Sequence, residues 1–169
     1  VHILWTYGER VRWLGPWWVQ LTGESLGKRT PSGQNVGVTA VPASGPADQH
    51  SLLQPVLDGP DDKLVLFVSG AGPAGPVVPD AVSGLTYATG QTLGHILDVE
   101  REATCGALGE VSRPYVDLRL RDTHAASIGA FMLATEMATA LVGFALGIDP
   151  FDQPAVGLGK SLAKARLSS

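Results

Sequence analysis

Four short apolar runs, at residues 2–5, 36–41, 63–68 and 115–120, alternate with longer stretches of helical periodicity at 16–26, 48–57, 91–111, 127–146 and 155–167. Strands that alternate with helices are joined by crossovers, so they lie parallel, and the helices cover both faces of one sheet. Gly15-Pro16 interrupts the first helical stretch, and proline suits a first turn, so the helix is expected to restart there. Thr30-Pro31-Ser32-Gly33 followed by Asn35-Val36 reads as a polar turn, and residues 70–79 read as a Gly/Pro-rich surface loop. No internal repeat, low-complexity tail or domain boundary interrupts residues 1–169, so the chain is read as a single domain.

A chain of 169 residues can bury a core of its own. A hydrophobic fraction of 44% against 17% charged residues makes it globular rather than disordered. With 12 basic and 16 acidic residues, a net charge of -4 and no basic run, it offers no nucleic-acid surface. The single cysteine, Cys105, excludes an internal disulfide framework and fits a reducing, cytoplasmic setting. It falls within a helical pattern and reads as a buried, inert thiol. The chain opens on Val1-His2-Ile3-Leu4-Trp5, without a signal peptide or an initiator methionine, as expected of a strand belonging to something longer.

Residues 128–148 are apolar enough to raise the question of a membrane span. Glu136 in their middle would cost roughly 2.5–3.5 kcal/mol in lipid, and basic flanks are missing. A tightly packed core helix, not a membrane helix, is expected. The Gly143/Gly147 spacing then signifies close packing. Trp13, Trp17 and Trp18 are expected to form an aromatic core stripe rather than a ligand cage.

Several chemistries can be set aside. Gly70-Ala71-Gly72-Pro73-Ala74-Gly75 has dinucleotide-loop spacing, but that reading needs a helix to open at its end, and Pro76 and Pro79 follow instead. Asp48, His50 and Ser51 carry the letters of a hydrolytic triad but stand too close in sequence to line up as one. His2, His95 and His124 are scattered without ligand spacing, so no metal site is expected, and no cofactor either.

Three segments remain. Glu24 stands near the end of a helix that Gly27 suits as a C-cap. Alone it reads as a solvated glutamate, but the carbonyl end of a helix disfavours the anion, as burial would, and both make a better general base. His50 opens a helix with Asp48 as N-cap, either packed by Gln49 and Gln54 or exchanging protons near neutral pH. Lys160 lies on the last helix, where a lysine most often faces solvent. A carboxylate, an imidazole and an ammonium together suit proton movement on a sugar carbonyl and its neighbouring carbon.

The segments Tyr7-Gly8-Glu9-Arg10 through Trp18-Val19-Gln20-Leu21 and Glu24-Ser25-Leu26-Gly27-Lys28 form the first of several marks. Gly45-Pro46-Ala47-Asp48-Gln49-His50-Ser51 with Leu57-Asp58-Gly59-Pro60 form the second. Arg113-Pro114, Gly129-Ala130 and Pro150-Phe151-Asp152-Gln153-Pro154 through Lys160 complete the set. In order and spacing they resemble the C-terminal sugar-isomerase (SIS) domain of the glucose-6-phosphate isomerase family, over nearly the whole chain.

The resemblance implies an α/β, three-layer αβα sandwich with a largely parallel, flavodoxin-like sheet. It implies half of an enzyme that interconverts glucose 6-phosphate and fructose 6-phosphate by ring opening and an enediol proton transfer. Glu24 resembles the base between C2 and C1, His50 the residue that assists ring opening from the partner subunit, and Lys160 the lysine near the ring oxygen. Gln20 and Gln153 resemble glutamines that contact the sugar phosphate. A homodimer and an N-terminal SIS domain are implied as partners. That domain would carry the Ser/Thr-rich phosphate loop, and the arginine that stabilises the enediolate also lies upstream. Two positions depart from the pattern: Gly157 replaces the usual glutamate, which weakens a contact that orients Lys160, and Ala155 replaces a glycine. Two other expectations stay open: a non-catalytic sugar-phosphate-binding module, and the isomerase half of a transaldolase fusion.

Overall fold

The computed structural model describes residues 1–72, 74–80, 84 and 86–168. Four parallel strands form its sheet: β1 (His2–Tyr7), β4 (Ala40–Gly45), β5 (Leu64–Gly70) and β6 (Tyr115–Leu120), in the order β4-β1-β5-β6. Central β1 pairs Ile3 with Val41 on one side and with Val65 on the other. This is the flavodoxin-like order, in which the chain reverses direction across the sheet between β1 and β5.

Side chains of β1 alternate between two cores, as a strand must. Ile3, Trp5 and Tyr7 join Val65, Phe67, Val56, Cys105 and Leu108 on one face, beneath α2 (Gln49–Leu57) and α3 (Leu93–Glu110). Leu4 joins Val68, Leu14, Trp18 and Phe131 on the other, beneath α1 (Leu14–Leu26) and α4 (Ala125–Ala145). The result is the expected three-layer α/β sandwich. A final helix, α5 (Val156–Leu167), buries no residue.

The run at 36–41 divides between two strands. Val36 belongs to β3 (Asn35–Val36), which forms a small antiparallel ribbon with β2 (Lys28–Arg29), and β4 begins only where Ala40 comes beside His2. An apolar run records that its residues are covered, not which neighbour each one takes.

Helix α4 differs from the expectation of a tightly packed core helix. It is long and apolar enough to cross a membrane by length and composition. In the fold it lies along α1, burying only Phe131, Thr139 and Gly143 and leaving Leu133, Met137, Leu141 and Phe144 exposed. Close packing holds for one of its two paired glycines. A Cβ on Gly143 would meet Pro150 at 2.7 Å, whereas Gly147 turns the chain at φ +72 with open space around it. The tryptophan stripe divides too. Trp18 is buried, Trp17 packs at the core margin, and Trp13 is 69% exposed beneath the Arg12 guanidinium.

Two polar ties lock the layers. Gln49 Nε2 donates to Tyr7 Oη and to Thr104 Oγ1, both at 2.8 Å, joining α2, β1 and α3. The Arg113 guanidinium donates to the carbonyls of Leu57 and Gly59 and pairs with Asp61 at 2.9 Å, so it holds the turn after α2. A close backbone approach occurs at Gly45, where a Cβ would lie 2.3 Å from the Tyr7 ring. Gly45→Ala is therefore expected to destabilise the fold by about 1–3 kcal/mol through overpacking, read as a lower urea midpoint by tryptophan fluorescence with unchanged slope.

Candidate active site

Helix α1 carries the first candidate pair. Leu14, Trp18, Thr22 and Leu26 recur once per turn and are buried, which turns Gln20 and Glu24 to the opposite, exposed side. Gln20 Nε2 donates to Glu24 Oε1 at 3.3 Å, one turn along the helix. Gln20 thus contacts one carboxylate oxygen of Glu24, and no described hydrogen bond engages the other. The sequence-based expectation of a basic glutamate invoked burial, and the structure instead leaves Glu24 exposed. Gly27 does occupy the C-cap, at φ -77 rather than in the left-handed form.

Lys28 follows directly. Its side chain is only 5% exposed and forms an ion pair with Asp152 at 2.8 Å. The same ammonium donates to the carbonyls of Asp149 and Asp152. This brings the turn before α5, with Gln153 at its end, beside the carbonyl end of α1. Lys160 stands one turn inside α5, exposed, as is Gln153.

His50 lies elsewhere. It is exposed in the first turn of α2, just beyond the carboxyl end of β4. Asp48 makes no side-chain cap bond to that helix. Its carboxylate instead accepts from the Ser44 backbone N–H at 2.7 Å and from Ser51 Oγ at 3.0 Å, closing the strand-to-helix turn. Gln49 donates to Tyr7 Oη and Gln54 to Asp58 Oδ2.

The topology sets these groups at two edges of the sheet. β1 runs up to Tyr7, and α1 must run back down before β4 can start parallel to it. Glu24, Gln20 and the Gln153 turn therefore lie toward the amino edge and His50 at the carboxyl edge. A six-residue strand separates the edges, a span of roughly 20 Å. The structure brings Gln20 to Glu24 and the start of α5 to the end of α1, but His50 does not join them within one chain.

The carboxyl edge holds groups that sequence reasoning missed. A cavity of about 700 Å³ opens there between the ends of β1 and β5, bordered by Arg10, Ser69, His95 and Arg101. Arg101, 1% exposed, pairs with Asp117 at 2.7 Å, and Arg119 bridges Asp117 and Glu102. The signal was present: Arg101, Thr104, Cys105 and Leu108 form the buried stripe of α3. An arginine in such a stripe needs a carboxylate opposite, which the strand alternation of Asp117 and Arg119 supplies.

The described part of the Gly70–Gly75 loop leads to α3, whose first N–H groups are engaged within the chain. Pro73 lies outside the described residues. The first N–H groups of α3, at Leu93 and Gly94, already donate to the carbonyls of Pro76 and Ala74, and the N–H of His95 donates to Thr92 Oγ1. Among the described residues no group of three or more His, Cys, Asp or Glu could hold a metal ion.

The comparisons with known proteins bear on this arrangement. No family model matches the chain. It is 42% identical over 171 residues to the glucose-6-phosphate isomerase of Thermus thermophilus, a match covering 99% of this chain and 41% of that protein. It is 37% identical over 171 residues to the glucose-6-phosphate isomerase of Rubrobacter xylanophilus, covering 99% of this chain and 38% of that one. This chain is a relative of the glucose-6-phosphate isomerases. It spans 41% of the length of the Thermus relative. The crystal structure of a hypothetical protein from Thermus thermophilus superposes with a TM-score of 0.91 at 41% identity, over 99% of this chain and 41% of that chain. A glucose-6-phosphate isomerase from Chlamydia trachomatis superposes at 0.77 and 22% identity, over 99% of this chain and 34% of that one, a likeness of fold.

Within this isomerase relative Cys105 is buried against Leu108 and Phe67. Burial pushes its thiol up, and the Asp117 carboxylate adds to the effect. The thiolate is the reactive form, so Cys105 is expected to resist alkylation by iodoacetamide at neutral pH in the folded chain and to react fully in urea, measured by intact mass.

Proposed function

We propose that this chain is the C-terminal SIS domain of a two-domain glucose-6-phosphate isomerase, and that the complete protein interconverts glucose 6-phosphate and fructose 6-phosphate. One observation carries the reading. The chain matches isomerases at 37–42% identity along 99% of its length, and it presents an exposed, hydrogen-bonded carboxylate at Glu24 where the resemblance puts the base.

In this reading, the closed sugar first opens with the help of His50 and of Lys160 near the ring oxygen. Glu24 then removes the proton from C2. The C2–H electron pair forms the C1–C2 double bond as the C1=O π pair moves to O1, which takes up a proton to give the enediol. O2 then gives up its proton as the C2=O bond forms, and the C1–C2 π pair takes the proton back from Glu24 at C1. The proton gained by O1 and the proton lost by O2 cancel. One carboxylate acts as base and acid in turn, and this step asks for no redox equivalent. Gln20 holds Glu24 in place and, with Gln153, contacts the bound sugar phosphate. General base catalysis contributes about 10²–10⁴-fold. Oriented polar groups supply the rest, among them the phosphate loop and the enediolate-stabilising arginine of the N-terminal domain.

Homodimerisation belongs to the same proposal. His50 and Glu24 lie at opposite edges of the sheet, so a second copy must bring an imidazole to each carboxylate. The exposed apolar residues Leu133, Met137, Leu141 and Phe144 of α4 support the view that further protein covers this chain. The cytoplasm, where glycolysis and gluconeogenesis share this step, is the proposed setting.

Glu24→Gln in the complete protein is expected to lower isomerisation by about 10²–10⁴-fold with KM nearly unchanged, and to abolish exchange of the C2 hydrogen with D2O, followed by NMR. Near-normal exchange would remove Glu24 as base and favour a sugar-phosphate-binding module. The isolated chain is expected to show no turnover. A co-expressed mixture of Glu24→Gln and His50→Ala chains should recover about a quarter of wild-type activity, because random pairing makes half the dimers mixed and each mixed dimer holds one intact site. No recovery in the mixture would mean that His50 serves its own chain.

A further inference from the structure

We propose that Lys28 is a positioning residue that sets α5, and with it Gln153 and Lys160, against the carboxylate of Glu24. The inference rests on the isomerase reading and assigns a role to a side chain that touches no substrate.

Helix α5 buries no residue, so packing along its length does not orient it. The turn that precedes it is held on two sides. One side of that turn is pinned to α4: Pro150 packs on Gly143, where a Cβ would come within 2.7 Å. The Ile148 N–H donates to the Gly143 carbonyl at 3.0 Å, and the Phe151 N–H donates to Asp149 Oδ1 at 2.9 Å. The other side is pinned to α1 by Lys28 alone among the described hydrogen bonds and ion pairs. Its ammonium has three donors, and three oxygens meet it: the carbonyls of Asp149 and Asp152 and the Asp152 carboxylate.

A buried ammonium is a poor way to gain stability, since an apolar side chain of the same volume is often as good. What it supplies is direction, because three acceptors at fixed places define one position for the turn. Lys28 follows α1 at once, so the helix bearing Glu24 and the helix bearing Lys160 are referred to a single atom. Its own saturated ammonium is unavailable for proton transfer. Proximity effects are steep: a misplacement of about 1 Å can cost about 100-fold.

The test uses the complete protein. Lys28→Met is expected to lower kcat about 10- to 100-fold with little change in KM and a retained far-UV spectrum, and Lys28→Arg to recover part of the loss. In a background carrying both Gln153→Ala and Lys160→Ala the same Lys28→Met change should have little further effect on kcat, because the groups it positions are already gone. Hydrogen exchange should quicken in α5 and not in α4. If Lys28→Met does not fold, Asp152→Asn, which removes the charge and keeps the shape, should show the same pattern more weakly. A kcat within about twofold of wild type, a Lys28→Met effect multiplicative with that of the double background, or unchanged exchange in α5 would each overturn the proposal. If the wild-type protein itself fails to isomerise the sugar phosphates, the functional reading falls, and the exchange arm still decides whether Lys28 holds α5.

Discussion

Parallel pairing of β1 with both β4 and β5 is the constraint from which the rest follows. A parallel neighbour cannot be reached by a tight turn, so each connection must travel back the length of the sheet. That requirement makes α1, α2 and α3 covering layers, and α4 packs back along α1 after the last strand. It also gives the domain two functionally different edges. Residues that end a helix, such as Glu24, gather at one, and residues that begin a helix, such as His50, gather at the other. Separation of Glu24 from His50 within a chain is thus a consequence of topology rather than of local sequence.

Two buried cations, Arg101 and Lys28, do different work. Arg101, Asp117, Glu102 and Arg119 form a compact network between α3 and β6, each cation facing carboxylates. It closes one wall of the carboxyl-edge cavity, and burial there makes Cys105 a quiet thiol. Lys28 stands apart, at the opposite edge, and joins a helix end to a turn. Both respect the rule that a charge taken out of water needs a partner. Only the second links two segments that carry proposed site residues.

Much of the fold was legible because apolar periodicity reports burial directly. Residues 115–120 read as a strand and form β6 over the same range. The stretch at 48–57 forms α2 within one residue at its start. Periodicity was silent on partners. It ran Val36 into the next strand, took α4 for a core helix although its Leu133 and Leu141 remain exposed, and grouped Trp13 with Trp18. An apolar side chain reads the same in a sequence whether its own domain covers it or something else does. For the site, residue types were legible at Gln20, Glu24, His50, Gln153 and Lys160. Lys28 and Arg101 were not singled out, because a buried cation is recognisable only once its oxygens are in place.

By itself the sequence determined the class of fold and the inventory of chemistry, because alternating periodicities and glycine-flanked polar residues are local properties of a chain. Tertiary structure alone decided which of those groups share an edge and that one ammonium ties α1 to the turn before α5. Those outcomes depend on contacts between residues far apart in the chain, and their distances are set by how the layers pack.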